Sequence, residues 1–206
     1  MPASSADELS QKHIAILNAA EKVFAEVGFH KAKVEEIAEV ANVAKGTVYL
    51  YFKSKKDILQ ALMKDRMSRL IPMIEKELEK TARIRSKIHS IIQVHFQFYQ
   101  EQKEFITILY GQLGQIAEGM EGPAKQGLEN LERMITGLFK QGMESGVLRR
   151  TDARALAQAF IAMINAVAFN WVIDSNDSSP DKLIDFVYQL FAQGAMEKTA
   201  GAGEML

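Results

Sequence analysis

The sequence predicts an all-α protein, and three observations carry that prediction. Apolar residues recur at three- and four-residue intervals along most of the chain. The Val-Thr-Ile alternation that marks strands is missing, and proline occurs only four times in 206 residues. A chain of this length can bury a substantial core, as one domain or as a small one beside a larger one.

The elements follow in order. "MPASSADELS" is polar and acidic, lacks the basic-then-apolar layout of a secretory signal, and reads as a disordered arm over 1–9. Ile16, Ala20, Val23 and Val27, widened by Leu17 and Phe24, form one helical stripe. Gly28 ends it, since glycine takes the left-handed conformation of a C-terminal cap without strain. Val34, Ile37, Ala38 and Ala41 make a short second face, which breaks at Asn42, and another short helix starts near Lys45. Ile58, Leu59, Leu62, Met63 and Met67 predict a long fourth helix over 55–71, which Pro72 should bend or break.

Ile84, Ile88, Ile91, His95 and Phe98 repeat the spacing. Gly111, Gly114, Gly119 and Gly122 read as a helix-breaking connection, after which Leu131, Ile135, Leu138 and Phe139 carry a helix up to Gly146. Helices over 152–173 and 181–197 close the chain, the second after Pro180, and "TAGAGEML" (199–206) reads as a frayed tail. Eight to ten helices are expected, with no repeat of fixed period.

The helix at 152–173 has two apolar faces. Ala155, Ala159, Ala162 and Ala166 form a narrow one; Phe160, Ile164, Val167 and Trp171 form a bulky one, roughly 135° away at the helical period. Both need burying. The bulky face suits the subunit's own core, and the alanine face lets another helix come close. A homodimer is expected, in which 152–173 and 181–197 pair with their copies in a four-helix interface; the alternative is a monomer with 152–173 as its central core helix. The same stretch, Ala155 to Ile173, runs 19 residues without a charge, long enough for a membrane span. Gln158, Asn165 and Asn170 inside it and its many alanines argue instead for a helix buried by protein.

Composition excludes several classes. The net charge is −1, and residues 10–60 hold eight lysines against six acids, a modest basic bias. There is no cysteine, so disulfide frameworks, thiolate metal sites and cysteine nucleophiles are ruled out, in keeping with a cytoplasmic protein. His89 and His95, six apart, point to different sides of a helix, and no metal-binding histidine motif, nucleophile elbow or phosphate loop occurs. No enzyme, metal or cofactor is called for.

The chemistry lies in "VEEIAEVANVAKGTVYLYF", residues 34–52. Glu35 and Glu36 stand in the first turn, where negative charge suits the helix dipole. Asn42 tolerates the left-handed conformation, Val43 should pin the turn to the core, and Val48 and Phe52 should face inward. Two short helices joined by such a turn fit a helix-turn-helix, whose second helix lies in a DNA major groove. Gly46 would let the backbone approach the duplex, and Thr47, Tyr49 and Tyr51 would offer hydroxyls to phosphates or base edges. Leu50 would stand exposed, suited to a thymine methyl, and Lys55 would add charge at the start of the fourth helix.

"GFHKAKVEEIAEVANVAKGTVYLYFKSKKDIL", residues 28–59, resembles the DNA-binding domain of tetracycline-repressor (TetR) type transcriptional regulators. Ile37-Ala38, Val43, Lys45-Gly46-Thr47, Tyr49, Tyr51-Phe52 and Ser54-Lys55 stand where that family's pattern has them, and "GMESGVLRRTDARALA" (142–157) looks like its junction into the dimer helices. The resemblance implies a three-helix DNA-binding domain over 10–55 and a larger ligand-binding and dimerising helical domain over 56–198. The family usually has Ser or Thr near positions 33 and 44; Lys33 and Ala44 stand there instead. Ala44 has no side-chain acceptor to cap a helix, whereas Lys33 can meet a phosphate by charge. Asn42 replaces the usual turn glycine.

By that resemblance the partners are a quasi-palindromic DNA operator and a small-molecule effector, and ligand entry would move the long helix 55–71. Candidate lining residues are Met63, Met67, His95, Tyr99, Leu109, Met134, Leu138, Asn165 and Phe169. Ten methionines and eleven phenylalanines suit an adaptable apolar cavity, and the pattern resembles fatty-acyl-CoA-responsive members of the family. An aromatic, multidrug-type ligand is the rival, as is a helical carrier that binds no DNA. The acids nearest to serving a cationic ligand are Glu101 and Glu104, beside Tyr99 and Phe105.

Overall fold

The computed structural model describes residues 5–111, 123–174 and 179–196. Nine helices are found among them: α1 Ser5–Val27, α2 Val34–Val40, α3 Lys45–Tyr51, α4 Lys55–Leu78, α5 Ile84–Glu101, α6 Lys103–Gly111, α7 Pro123–Glu144, α8 Ala153–Ile173 and α9 Asp181–Ala195. No strand occurs among the described residues; a single antiparallel bridge links Leu148 to Met196. Gly114, Gly119, Gly122 and the tail 199–206 lie outside the described residues.

Two expectations are corrected. The polar arm over 1–9 is helical from Ser5 onward. Ala6, Asp7, Glu8 and Leu9 carry no helix breaker, and acids suit a first turn. Pro72 does not end α4, which runs on to Leu78. The residues flanking it, Leu70 and Ile74, are 3% and 0% exposed, while Pro72 itself lies on the exposed side. Burial of that face therefore carries the helix through, and the Ser68 carbonyl that loses its amide partner is open to water.

The chain divides into two compact units. One comprises 1–68 and 102–125, the other 69–101 and 126–206. In the first, α1 packs on α2 and α6, and α2 packs on α3. Its core holds Ile16, Leu17, Ala20, Phe24, Ile37, Val48, Ile58, Leu62 and Phe105. Polar packing adds to it: Arg66 of α4, 4% exposed, donates to Glu21 and Asn18 of α1 at 2.6 and 2.7 Å, and to Asp65 at 2.6 Å. Burial alone would make the guanidinium easier to deprotonate, but Glu21 and Asp65 outweigh it and hold the proton more firmly than usual. This tie between α1 and α4 is not among the sequence expectations. Its trace is Arg66 at four-residue spacing between Leu62 and Leu70 on an apolar line.

In the second unit α5 packs on α8 and α9, and α8 packs on α9. Phe139, Phe160 and Phe191 meet with centroids 4.6 to 5.4 Å apart, and Phe96 meets Trp171 at 5.6 Å. Gly146, at φ 70°, closes α7, and Val147 and Leu148 donate back to the Gly142 carbonyl. Leu148 then lies so close over Gly142 that a Cβ there would meet it at 2.8 Å. Arg149 donates to the carbonyls of Gln193 and Met196, a cation on the C-terminal end of α9. Asp152 caps α8 by accepting from the amides of Arg154 and Ala155.

The two faces of α8 separate as expected. Phe160, Ile164 and Trp171 are buried and Val167 is half-buried, whereas Ala155, Ala159, Ala162 and Ala166 are exposed on the single chain. Phe186 and Leu190 of α9 are also open, at 55% and 49%.

Candidate nucleic-acid interface

The turn between α2 and α3 explains how the outer face of α3 is held. Asn42 adopts φ 52°, the one left-handed non-glycine residue among those described. Its amide donates to Glu39, and the Val43 amide reaches back to the Ala38 carbonyl, a two-bond C-terminal cap. Ile37 and Ala38 of α2 and Val48 of α3 are 0 to 2% exposed, and the two short helices pack on each other. Phe52 closes the unit, its ring 5.1 Å from His13 of α1.

With Val48 fixed inward, Lys45, Gly46, Tyr49 and Leu50 of α3 are exposed. Leu50 is 84% exposed and Tyr49 48%. Lys45 and Gly46 are exposed and Thr47 is half-buried. A Cβ on Gly46 would meet no protein atom within 4 Å, so internal packing does not demand glycine there. Lys45 forms an ion pair with Glu35 of α2, and its ammonium lies 5.9 Å from the Tyr49 ring centroid. The Lys45 hydrogen bond holds the Glu35 carboxyl below its ordinary range. This pair is open to water, so it biases where the ammonium rests without anchoring it.

Four other sequence candidates are placed as follows. Tyr51 is half-buried, with its ring toward His13 at 6.1 Å, and is the most inward of the tyrosines on α3. Lys33 is exposed at the start of α2; its backbone N–H donates to Glu36 at 2.9 Å, and its side chain makes no cap. Ala44 begins α3 with no side-chain cap. Lys55 departs from the picture of a charge facing outward. Its ammonium donates to the carbonyls of His30 and Ala32 at 2.9 and 2.7 Å and sits 4.8 Å from the Phe29 ring centroid. It stitches the turn after α1 to the start of α4, because those carbonyls lack helical partners and a flexible ammonium can reach both.

The candidate effector residues divide between the units. Met63 is buried in the first, with Met67 and Leu109 half-buried there. In the second, His95, Tyr99 and Leu138 are buried, and Met134, Asn165 and Phe169 are half-buried. His95 has no exposed surface, and its Nδ1 lies 2.7 Å from the Ile91 carbonyl. Among the described residues no three His, Asp or Glu side chains are grouped to hold a metal ion.

Comparison with known proteins accords with this geometry. The pattern for bacterial regulatory proteins of the tetR family matches residues 16–62, and that for the YsiA-like protein C-terminal region matches 63–194. The fatty acid metabolism regulator protein of Bacillus subtilis (strain 168) is 29% identical over 188 residues, 91% of this chain and 97% of that protein. The fatty acid degradation regulator FadR from Bacillus halodurans superposes with a TM-score of 0.78 at 27% identity, covering 88% of this chain and 94% of that one. The transcriptional regulator FadR from Bacillus subtilis, solved in complex with stearoyl-CoA, superposes at 0.76 with 28% identity, covering 88% and 98%.

Proposed function

Since the chain belongs to the TetR family of transcriptional regulators, we propose that it is a homodimeric, cytoplasmic repressor that a long apolar effector of fatty-acyl type releases from its operator. The observation that carries the DNA-binding half is the outer face of α3. A leucine at 84% exposure and a tyrosine at 48% sit on a seven-residue helix whose inner side is locked by Val48. Water disfavours that face; a major groove, with thymine methyls, base edges and phosphates, is its chemical complement. Lys33, Lys45, Gly46, Thr47, Tyr49, Leu50 and Tyr51 are the proposed contacts. Lys55 supports them by fixing the turn between α1 and α2 and has one donor left for a phosphate.

Dimerisation in this reading uses α8 and α9. The exposed alanines of α8 allow a close helix approach, and Phe186 and Leu190 extend the apolar face. Two subunits would then present two α3 helices to successive major grooves. The stearoyl-CoA in the structure of a protein 28% identical supports an acyl effector, for which His95, Tyr99, Met134, Leu138, Asn165 and Phe169 of the second unit are the proposed lining. The effector need favour the non-binding arrangement by only a few kcal/mol, an order typical of coupling between sites, and α4, continuous from Lys55 to Leu78, is the proposed lever.

The test is fluorescence anisotropy of a duplex enriched by the protein from a random-sequence pool. Stearoyl-CoA is expected to release it at micromolar concentration, while coenzyme A alone leaves it bound. Release by aromatic cations and not by the acyl compound would replace the effector assignment.

A further inference from the structure

The second unit buries one imidazole completely and satisfies only one of its two nitrogens. His95 lies near the middle of α5, and its Nδ1 is 2.7 Å from the carbonyl oxygen of Ile91. A carbonyl only accepts, so the proton sits on Nδ1 and Nε2 carries a lone pair. No donor among the described residues reaches that lone pair. Burial pushes the ring's pKa down to about 4, so near neutral pH Nε2 gains no proton.

The surroundings make the unmatched atom costly. Ile91, Ile92, Phe96, Phe98 and Tyr99 of the same helix are buried, and Phe96 packs on Trp171 of α8. A buried acceptor without a donor destabilises the fold, and an apolar side chain of similar size would avoid the cost. An isolated acceptor in an apolar interior is the arrangement by which a ligand site orients an otherwise greasy guest.

From this orphaned acceptor, and resting on the acyl-effector reading above, we propose that His95 is the polar anchor of the effector site, its Nε2 accepting a hydrogen bond from an N–H or O–H group on the ligand. The effector class is thereby narrowed from apolar to apolar with a neutral donor. An acyl-CoA thioester supplies one in the amides of its pantetheine arm, and a hydroxylated acyl chain supplies one in its hydroxyl. An ionised carboxylate has only acceptors and would set lone pair against lone pair. An ammonium donates, but its charge would enter an apolar interior in which no carboxylate acts on the ring.

The experiment follows the His95 ring nitrogens by 15N NMR in the full-length protein. Three probes are added in turn: stearoyl-CoA, methyl 3-hydroxystearate, and methyl stearate, which has the chain and carbonyl but no N–H or O–H. Without ligand, the Nδ1–H tautomer with an unbonded Nε2 is expected. Stearoyl-CoA or the hydroxy ester should move Nε2 into the range of a hydrogen-bonded acceptor, whichever does so identifying the donor, and methyl stearate should not. In parallel, His95→Leu should weaken binding of that donor probe about tenfold and raise the melting temperature of the unliganded protein by about 2–4 °C.

Binding of the donor probes with Nε2 unmoved overturns this inference and leaves the proposed function standing. Failure of the wild type to bind any of the three overturns the effector reading as well. An Nε2 already bonded before ligand is added, with a lower melting temperature in His95→Leu, assigns the atom to a structural water and also overturns the proposal.

Discussion

Single residues carry most of the function proposed, and two of them, Ala44 and His95, are tested by substitution or titration. Ala44 begins α3 without a side-chain acceptor, so the first turn of the proposed recognition helix has amides that no cap satisfies. Ala44→Ser should therefore stabilise the fold by about 0.5–1 kcal/mol, read from urea denaturation. Asn42 shows the opposite case, a residue type matched to its left-handed φ of 52°. Replacement by a β-branched residue there would strain the turn. His95 makes stability depend on pH. Its folded pKa of about 4 lies below the ordinary 6.5, so between these values the unfolded chain binds a proton that the folded one does not. Stability contributed by neutral His95 is thus complete above pH 6.5 and is lost as pH falls toward 4, by up to about 3 kcal/mol. Urea melts at pH 7.5 and 4.5 should show a steeper acid loss for wild type than for His95→Leu; equal losses would place the imidazole in contact with water.

At the scale of elements, the apolar stripes marked nearly every helix, because a 3.6-residue period survives whatever the helix packs against. The two departures have different causes. Pro72 sits on the exposed side of α4 between buried Leu70 and Ile74, and residues 5–9 extend α1 without a breaker. Whether Pro72 ends its helix cannot be read from the residue alone, since tertiary packing decides whether a weak local signal prevails, whereas residues 5–9 need only the lack of a breaker. The interface helix was legible because Lys45, Thr47, Tyr49, Leu50 and Tyr51 crowd reaching side chains onto a short helix that gives only Val48 to the core. The partners of Lys55, two carbonyls over twenty residues away, and those of Arg66 on α1 were not, since long side chains declare no partner in sequence. Arg66→Ala leaves Glu21, whose side chain is 15% exposed, without its cation. A loss of about 3–5 kcal/mol is expected, and Arg66→Met, which keeps the bulk, should lose less. An Arg66→Met variant as stable as wild type in urea melts would mean that the ion pairs contribute little beyond packing.

At the scale of the molecule, a net charge of −1 gives no general attraction to DNA, so binding must come from local placement of a few cations and from pairing two α3 helices. Ala162→Glu sets a charge in the middle of the exposed alanine face of α8. It should yield a monomer by sedimentation equilibrium with unchanged helicity, and DNA affinity should fall with it. A variant that stays dimeric would put the interface elsewhere. The claim on which everything turns is that the outward side of α3 meets a duplex, and one titration addresses it most directly: anisotropy of the enriched duplex across a range of salt, for wild type, Tyr49→Ala and Lys45→Ala. Wild-type affinity should fall steeply with salt; Tyr49→Ala should lose at least about tenfold, and Lys45→Ala should flatten the log–log slope by about one unit per subunit, all without a change in melting temperature. Three superimposable titrations would contradict the account.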